Sequence, residues 1–277
     1  MRKTLYTLNI DNYEPAICDL TYPLMKHYAN KIGAQFHIIS ERKFPDWPVT
    51  YEKLQVAEFA SAFDDEWSIF IDSDTLINPE MFDVTEQMGK DTVCHNGKDF
   101  ANVRWSYDKY FRRDGRGWGS CNWFTVGSEW TRDDLWRPLD DLTLEQALAN
   151  IHITVGEHNS GHCKTEHLID DYTLSRNIAR FGLKATTVGD ICGNLGWKGP
   201  DGKGFSPFLF HLYTLSSADK LKRMIAVLTT PNGKPYWEDG RGGFQQQPTV
   251  AGQPPAGAGW GLMTPEDLGK FKEKWGV

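Results

Sequence analysis

An apolar run that ends in two acids is the feature that most constrains this chain. Residues 67–77 have the sequence WSIFIDSDTLI, in which the apolar run ends at Ile71 and Asp72 and Asp74 follow directly. Buried carboxylates are costly unless they are paired or bound to a metal. Because residues two apart in an extended backbone point the same way, the sequence predicts two carboxylates on one side of a strand end.

Two strand–helix units precede this run. The apolar patterns predict strands at 4–10 and 34–40, a helix between Pro15 and Gly33, and a second helix at 51–63. Strands that alternate with helices indicate a parallel sheet with helices packed on it. We therefore expect an α/β fold, with a mostly parallel, Rossmann-like central sheet and flanking helices in a single domain. Ligands of such sheets bind beyond the carboxyl ends of the strands, which is where the two acids lie.

The second half of the chain is less regular. It predicts a strand at 121–127, a helix at 165–182 and a short strand at 208–214.

The domain prediction follows from these patterns. Residues 1–215 form the α/β domain, and 216–277 form a C-terminal extension. The extension contains a Gly-, Pro- and Gln-rich stretch at 238–262, expected to be a mobile loop, and a short terminal helix.

Composition disfavours several classes of protein. The formal net charge is −7 and there is no long Lys/Arg run, whereas a nonspecific nucleic-acid binder would present a basic face. No stretch approaches the about 18 apolar residues of a membrane span, and the polar start of the chain predicts no signal peptide. The five cysteines are scattered without a Cys-x-x-Cys motif, which favours reduced thiols in a cytoplasmic protein.

The two acids could hold a divalent ion or could simply end a strand in solvent. Hard carboxylate oxygens suit Mg²⁺ or Mn²⁺, and such an ion could neutralise a diphosphate leaving group. An EF-hand loop does not fit, because Leu76 and Ile77 stand where that loop needs an oxygen ligand and a glycine.

A haloacid-dehalogenase-type phosphatase, with Asp72 as nucleophile, is an alternative. It fits less well, because Leu76 stands where such enzymes have Thr or Val and because two strands precede the motif.

The order of these features resembles the nucleotide-sugar glycosyltransferases of the GT-A fold, particularly the glycogenin-like and galactosyltransferase-like group. The resemblance covers residues 4–215. The run FIDSDTLI matches the family's Asp-x-Asp strand, which implies that Asp72 contacts the donor ribose or the metal and that Asp74 binds the metal. The first strand would contact the nucleotide, and a basic residue on the helix before the motif would face the donor. These implied donor contacts are Thr7, Asn9, Asp11 and Lys53.

The resemblance also implies site residues further along. Asn122 in GSCNWFTVG would line the sugar site, Asp170 and Asp171 in IDDYTLS would orient the sugar or act as a base, and His211 in FLFHLYT would be the third metal ligand. Two departures accompany these matches. Trp123 and Phe124 replace small residues, and no lysine follows His211 at the family spacing, so that Lys220 or Lys222 would have to substitute.

The sequence therefore predicts a metal-dependent glycosyltransferase that uses Mn²⁺ or Mg²⁺ and a nucleotide-diphosphate sugar. A UDP-sugar is preferred, and retention of configuration is slightly favoured. A surface glycan, a protein, a small molecule or a modified DNA base could each be the acceptor. A non-catalytic sugar-binding module of the same fold is a further alternative.

Overall fold

The structure is a computed structural model that describes residues 1–78, 81–95, 122–153, 164–196, 208–212 and 215–228, together with Glu273. The predicted loop at 238–262 lies outside these ranges, as does the predicted terminal helix apart from Glu273. The division at residue 215 stays a prediction.

Eight strands fall within the described ranges. They are β1 (Lys3–Leu8), β2 (Gln35–Ile39), β3 (Trp67–Ile71), β4 (Thr75–Ile77), β5 (Thr92–His95), β6 (Phe124–Ser128), β7 (Lys184–Thr186) and β8 (Leu209–His211).

The helices connect and cover these strands. They are α1 (Pro15–Lys31), α2 (Val56–Ala62), α3 (Arg132–Leu135), α4 (Leu144–Ala149), α5 (Ile169–Arg180), α6 (Val188–Asn194) and α7 (Ser217–Leu228). Short 3-10 segments occupy Val49–Gln55, Val84–Gln87 and Thr165–Leu168. None of the helices in the described part of the chain has the length and apolar character that a bilayer crossing requires.

The central sheet has six strands in the order β2-β1-β3-β6-β5-β7. The pairs β1–β2, β1–β3 and β5–β7 are parallel, whereas β6 is antiparallel to both β3 and β5. Strand β6 alone therefore runs against the other five in this sheet. The predicted fold class, an α/β fold with a mostly parallel central sheet and flanking helices, is confirmed.

Burial follows the apolar patterns of the sequence. Strand β3 is buried along its whole length, as expected for a central strand covered on both faces. Helix α1 buries one face, which includes Ile17, Leu20, Leu24 and Tyr28.

Two predicted helices begin differently from expectation. The helix expected at 51–63 is a 3-10 segment followed by α2, and the helix expected at 165–182 is likewise a 3-10 segment followed by α5. In the first segment Glu52 and Lys53 are both buried.

Candidate functional site

The chain passes directly from β3 to β4 through the segment that contains the two acids. The backbone N–H of Asp72 donates to the carbonyl of Trp123 at 2.8 Å, and the N–H of Thr75 donates to the carbonyl of Asp72 at 2.9 Å. From helix α1, the hydroxyl of Thr21 donates to the carbonyl of Ser73 at 2.5 Å. Three hydrogen bonds therefore hold the backbone of the segment that carries the two acids.

A second, two-stranded sheet brings His211 to these acids. Strands β4 and β8 are antiparallel, with Thr75 opposite His211. As a result His211 Nε2 lies 3.2 Å from Asp74 Oδ1 and 3.9 Å from Asp72 Oδ2. The imidazole stacks on the ring of Trp123, with centroids 5.3 Å apart and an interplanar angle of 18°. The indole thus supports the histidine ring from one face.

This geometry suits a divalent ion. One ligand atom from each of Asp72, Asp74 and His211 lies within 4.8 Å of the others. Ligands at right angles and about 2.1 Å from an ion are about 3 Å apart, so only small shifts would bring the three atoms around one ion. Two carboxylates and an imidazole form a ligand set that Mn²⁺ accepts readily. The structure brings together all three predicted metal ligands.

Lys53 connects the end of β3 to helix α5. Its side chain is 2% exposed, and Nζ lies 3.0 Å from Asp72 Oδ1 and 2.5 Å from Asp170 Oδ2. The same ammonium donates to the carbonyl of Asn122 at 3.1 Å and lies 4.8 Å from the ring centroid of Phe70. Burial opposes the charged form, but the carboxylates of Asp170 and Asp72 outweigh it, so the pKa of Lys53 is raised.

Asp170 and Asp171 in the first turn of α5 have different partners. Asp171 Oδ1 accepts the backbone N–H of Asn122 at 2.5 Å. Burial raises the pKa of Asp171 well above its usual value, and the charge of Asp170 adds to the effect. Asp170 instead pairs with Lys53. Its Oδ1 and the side-chain oxygen of Asn122 are buried and accept no hydrogen bond from the described residues.

The two acids of the pair also have different surroundings. Asp74 is 8% exposed, and its Oδ2 forms an ion pair with Lys220 and accepts the hydroxyl of Tyr13 at 3.4 Å. Burial opposes ionisation, but His211 and Lys220 outweigh it, so the pKa of Asp74 is lowered. The pKa of Asp72 is raised, because burial outweighs the attraction of Lys53 and His211.

The predicted nucleotide contacts lie in and after β1. Thr7 is fully buried, and its hydroxyl has no hydrogen-bond partner among the described residues. The side-chain oxygen of Asn9 accepts the backbone N–H of Tyr13 at 2.8 Å, which holds the loop between β1 and α1. Asp11 is exposed in that loop, with φ of 56°, a conformation that Asp tolerates better than most residues. Their roles toward a donor stay predictions.

The contact of Tyr13 with Asp74 was not predicted from the sequence, and Lys220 was one of two predicted options. Tyr13 follows the carboxyl end of β1 at the same edge of the sheet as Asp74, so the strand-end argument that identified the acids could have included it. Lys220 is 7% exposed and reaches Asp74 from α7, whereas Lys222 on the same helix is exposed.

Comparisons with known proteins give remote likenesses. No protein-family model and no curated protein matches the chain. Among solved structures, the chain is similar to a glycosyltransferase involved in the glycosylation of the major capsid of PBCV-1, with 11% identity over 81% of this chain and 100% of that one and a TM-score of 0.44. It is also similar to a protein from STIV, with 13% identity over 68% of this chain and 81% of that one and a TM-score of 0.35. Because these scores are low, function is inferred from the residues of the site.

Proposed function

We propose that this protein is a metal-dependent glycosyltransferase that moves a sugar from a nucleotide-diphosphate sugar to an acceptor hydroxyl. One observation supports the proposal most directly. Ligand atoms of Asp72, Asp74 and His211 lie within 4.8 Å of one another, beyond the carboxyl end of β3 in a GT-A-like sheet. An open sheet of this kind binds its ligands at that edge.

The metal ligands would be Asp72, Asp74 and His211. A bound Mn²⁺ or Mg²⁺ would supply positive charge that stabilises the diphosphate as it leaves the sugar. The protein contributes a fixed backbone around the two acids and a histidine ring held against Trp123. Such outer contacts keep metal ligands oriented.

The sugar would bind against Asn122 and Asp170. Each has a buried side-chain oxygen that accepts no hydrogen bond from the described part of the chain, and sugar hydroxyls are donors that could satisfy both. Lys53 holds the other oxygen of Asp170, so the acid is oriented before the sugar arrives.

Of the two acidic residues Asp170 and Asp171, Asp170 is the better candidate for the catalytic residue. The Asp171 carboxyl is engaged by the backbone N–H of Asn122, whereas Asp170 keeps a buried oxygen that accepts no hydrogen bond from the described residues and could take the role of a general base. We keep the preference for a UDP-sugar and for retention of configuration, with Thr7, Asn9 and Asp11 on the nucleotide side.

The phosphatase alternative is less well supported. Asp72 Oδ1 is engaged by Lys53 at 3.0 Å, and its Oδ2 faces His211 at 3.9 Å. This arrangement suits a metal ligand better than a nucleophile that must approach a phosphorus atom. In a decayed, non-catalytic site we would not expect ligand atoms of Asp72, Asp74 and His211 to stay within 4.8 Å of one another.

The acceptor would be a surface glycan, a protein, a small molecule or a modified DNA base. We also propose a cytoplasmic location. Among the described cysteines, Cys18 and Cys94 are free and buried, which is compatible with a reducing compartment.

The test is nucleoside-diphosphate release from a panel of UDP-, GDP-, ADP- and TDP-sugars, with and without Mn²⁺. We expect slow, metal-dependent release from one donor, and its loss in Asp74→Asn. Asp133→Asn is the matched control, because that carboxylate is 74% exposed; it should leave release unchanged.

Two outcomes would contradict the proposal. One is hydrolysis of a generic phosphate ester with a covalent phosphate on Asp72, which would identify the phosphatase. The other is failure of every nucleotide–Mn²⁺ pair to bind, measured by calorimetry independently of any acceptor.

A further inference from the structure

We propose that Lys220 is a tethered cation that occupies Asp74 until a divalent ion and a diphosphate arrive together. Lys220 would thereby weaken binding of the metal alone and strengthen binding of the metal–diphosphate pair. This inference rests on the proposed function, since it concerns the same site.

The contacts of Asp74 are the first observation. His211 Nε2 faces its Oδ1 at 3.2 Å, and the Lys220 ammonium and the Tyr13 hydroxyl contact its Oδ2. Asp74 and Lys220 are both more than nine-tenths buried. A carboxylate in such surroundings needs a positive partner, and Lys220 supplies it while no ion is bound.

The position of Lys220 is fixed by its helix. Lys220 lies in α7, 146 residues from Asp74 in sequence. Ser216 precedes this helix, and its hydroxyl accepts the backbone N–H of Asp219 at 3.2 Å. Ser217 contacts Glu14 in the loop before α1. Two elements of the site, α7 and the loop that contains Tyr13, are therefore joined.

A divalent ion at Asp74 would stand close to this ammonium. Like charges a few ångströms apart repel strongly where water is largely excluded. The ion must therefore displace Lys220 from Asp74 or bind against its charge, and either event weakens metal binding.

A diphosphate changes this balance, because it brings negative charge to the same place. Lys220 can then pair with a diphosphate oxygen instead of Asp74. The attraction between its ammonium and the diphosphate replaces the repulsion between the ammonium and the metal ion as the dominant effect. By linkage, metal and diphosphate then strengthen each other's binding by the same factor.

The first experiment measures Mn²⁺ affinity from the signal of free aqueous Mn²⁺ in electron paramagnetic resonance. We compare the wild type with Lys220→Gln, Lys220→Arg and Lys222→Gln. Lys220→Gln should bind Mn²⁺ alone about ten-fold more tightly, because a charge at close range is removed. Lys220→Arg keeps the charge and should resemble the wild type. Lys222→Gln removes an exposed charge from the same helix and should also resemble it.

The second experiment measures binding of the manganese complex of inorganic diphosphate by calorimetry. Lys220→Gln should bind this complex about ten-fold more weakly than the wild type. If Lys220 merely stabilised the fold, its replacement would not be expected to raise the affinity for Mn²⁺ alone and lower the affinity for the manganese–diphosphate complex. Thermal melting of each variant verifies folding, and Lys220→Arg provides a conservative variant if Lys220→Gln folds poorly.

The outcomes separate the inference from the proposed function. If Mn²⁺ binds the wild type and Lys220→Gln equally, or the variant more weakly, the inference is overturned while the metal site stands. If Lys220→Gln binds the manganese–diphosphate complex as tightly as the wild type, the coupling is overturned. If no protein binds Mn²⁺ in either form, the proposed metal site fails, and the inference fails with it.

Discussion

Replacement of Lys53 by methionine should destabilise the protein strongly, although Lys53 lies at the candidate site rather than in an apolar core. The Lys53 side chain is 2% exposed, and its ammonium forms ion pairs of 3.0 Å with Asp72 and 2.5 Å with Asp170. Removal of one partner of a buried ion pair costs about 3–5 kcal/mol, because the other charge stays buried without compensation.

The structure favours the lower end of that range. Asp72 is 28% exposed, so water can solvate its carboxylate once Lys53 is gone. Asp170 is 4% exposed and has no such relief. We therefore expect a loss of about 3 kcal/mol for Lys53→Met, which is a large part of the about 5–15 kcal/mol that stabilises a typical domain.

A double-mutant cycle isolates the ion pair. Asp170→Asn alone leaves Lys53 paired with Asp72 and should cost less than Lys53→Met. Because the double variant contains no unpaired Asp170 charge, we expect its destabilisation to be about 2 kcal/mol smaller than the sum of the two single effects.

The assay is urea unfolding followed by tryptophan fluorescence and far-UV circular dichroism. Lys184→Met is the matched control, since Lys184 is 71% exposed and pairs with Asp91 at the surface; no measurable change is expected there. If Lys53→Met is as mild as Lys184→Met, or if the cycle is additive, then the buried network does not hold the site as described.

Two further predictions concern His95 and Trp123. His95 is fully buried, and burial lowers its pKa to about 4, whereas an unfolded histidine titrates near 6.5. Because the unfolded state takes up a proton as the pH falls below 6.5, stability should drop by about 2 kcal/mol between pH 7.5 and pH 5. Urea unfolding of His95→Gln should lack this part of the pH dependence, and an identical dependence would contradict the assignment. Trp123→Ala removes the ring that stacks on His211 and should weaken Mn²⁺ binding by about ten-fold. Trp123→Phe, which keeps an aromatic face, should retain most of the affinity, and equal loss in both variants would argue against stacking as the cause.

The central sheet was largely predictable because local patterns determine most of it. The run at 67–71 is buried throughout, as its apolar residues indicate, and two strand–helix units before it imply parallel neighbours. The reversed direction of β6 was not predictable. The residues Phe124–Ser128 suit a strand of either direction, and the direction is set by pairing with β3 and β5, which lie far away in sequence.

The site was predictable to different degrees for different residues. Asp72 and Asp74 follow from the two-residue period of an extended backbone, whereas His211 depended on resemblance to a family. The choice between Lys220 and Lys222 could not be made from sequence, because both lie in the same polar stretch of α7. The choice depends on which lysine faces Asp74, 146 residues earlier in the chain.

Each acid at the end of β3 pairs with a different lysine, and this explains how a buried strand can end in two carboxylates. Asp72 pairs with Lys53, which is also tied to Asp170, so that this cation is shared and fixed. Within the described residues, Lys220 contacts no carboxylate other than Asp74. Because buried charges are tolerated when they are paired, the protein can fold around both acids before any metal binds. The two pairs differ in what a divalent ion would disturb: at Asp72 it would compete with a network of three side chains, and at Asp74 with a single ammonium. Exchange of a protein cation for a metal ion is therefore easier at Asp74.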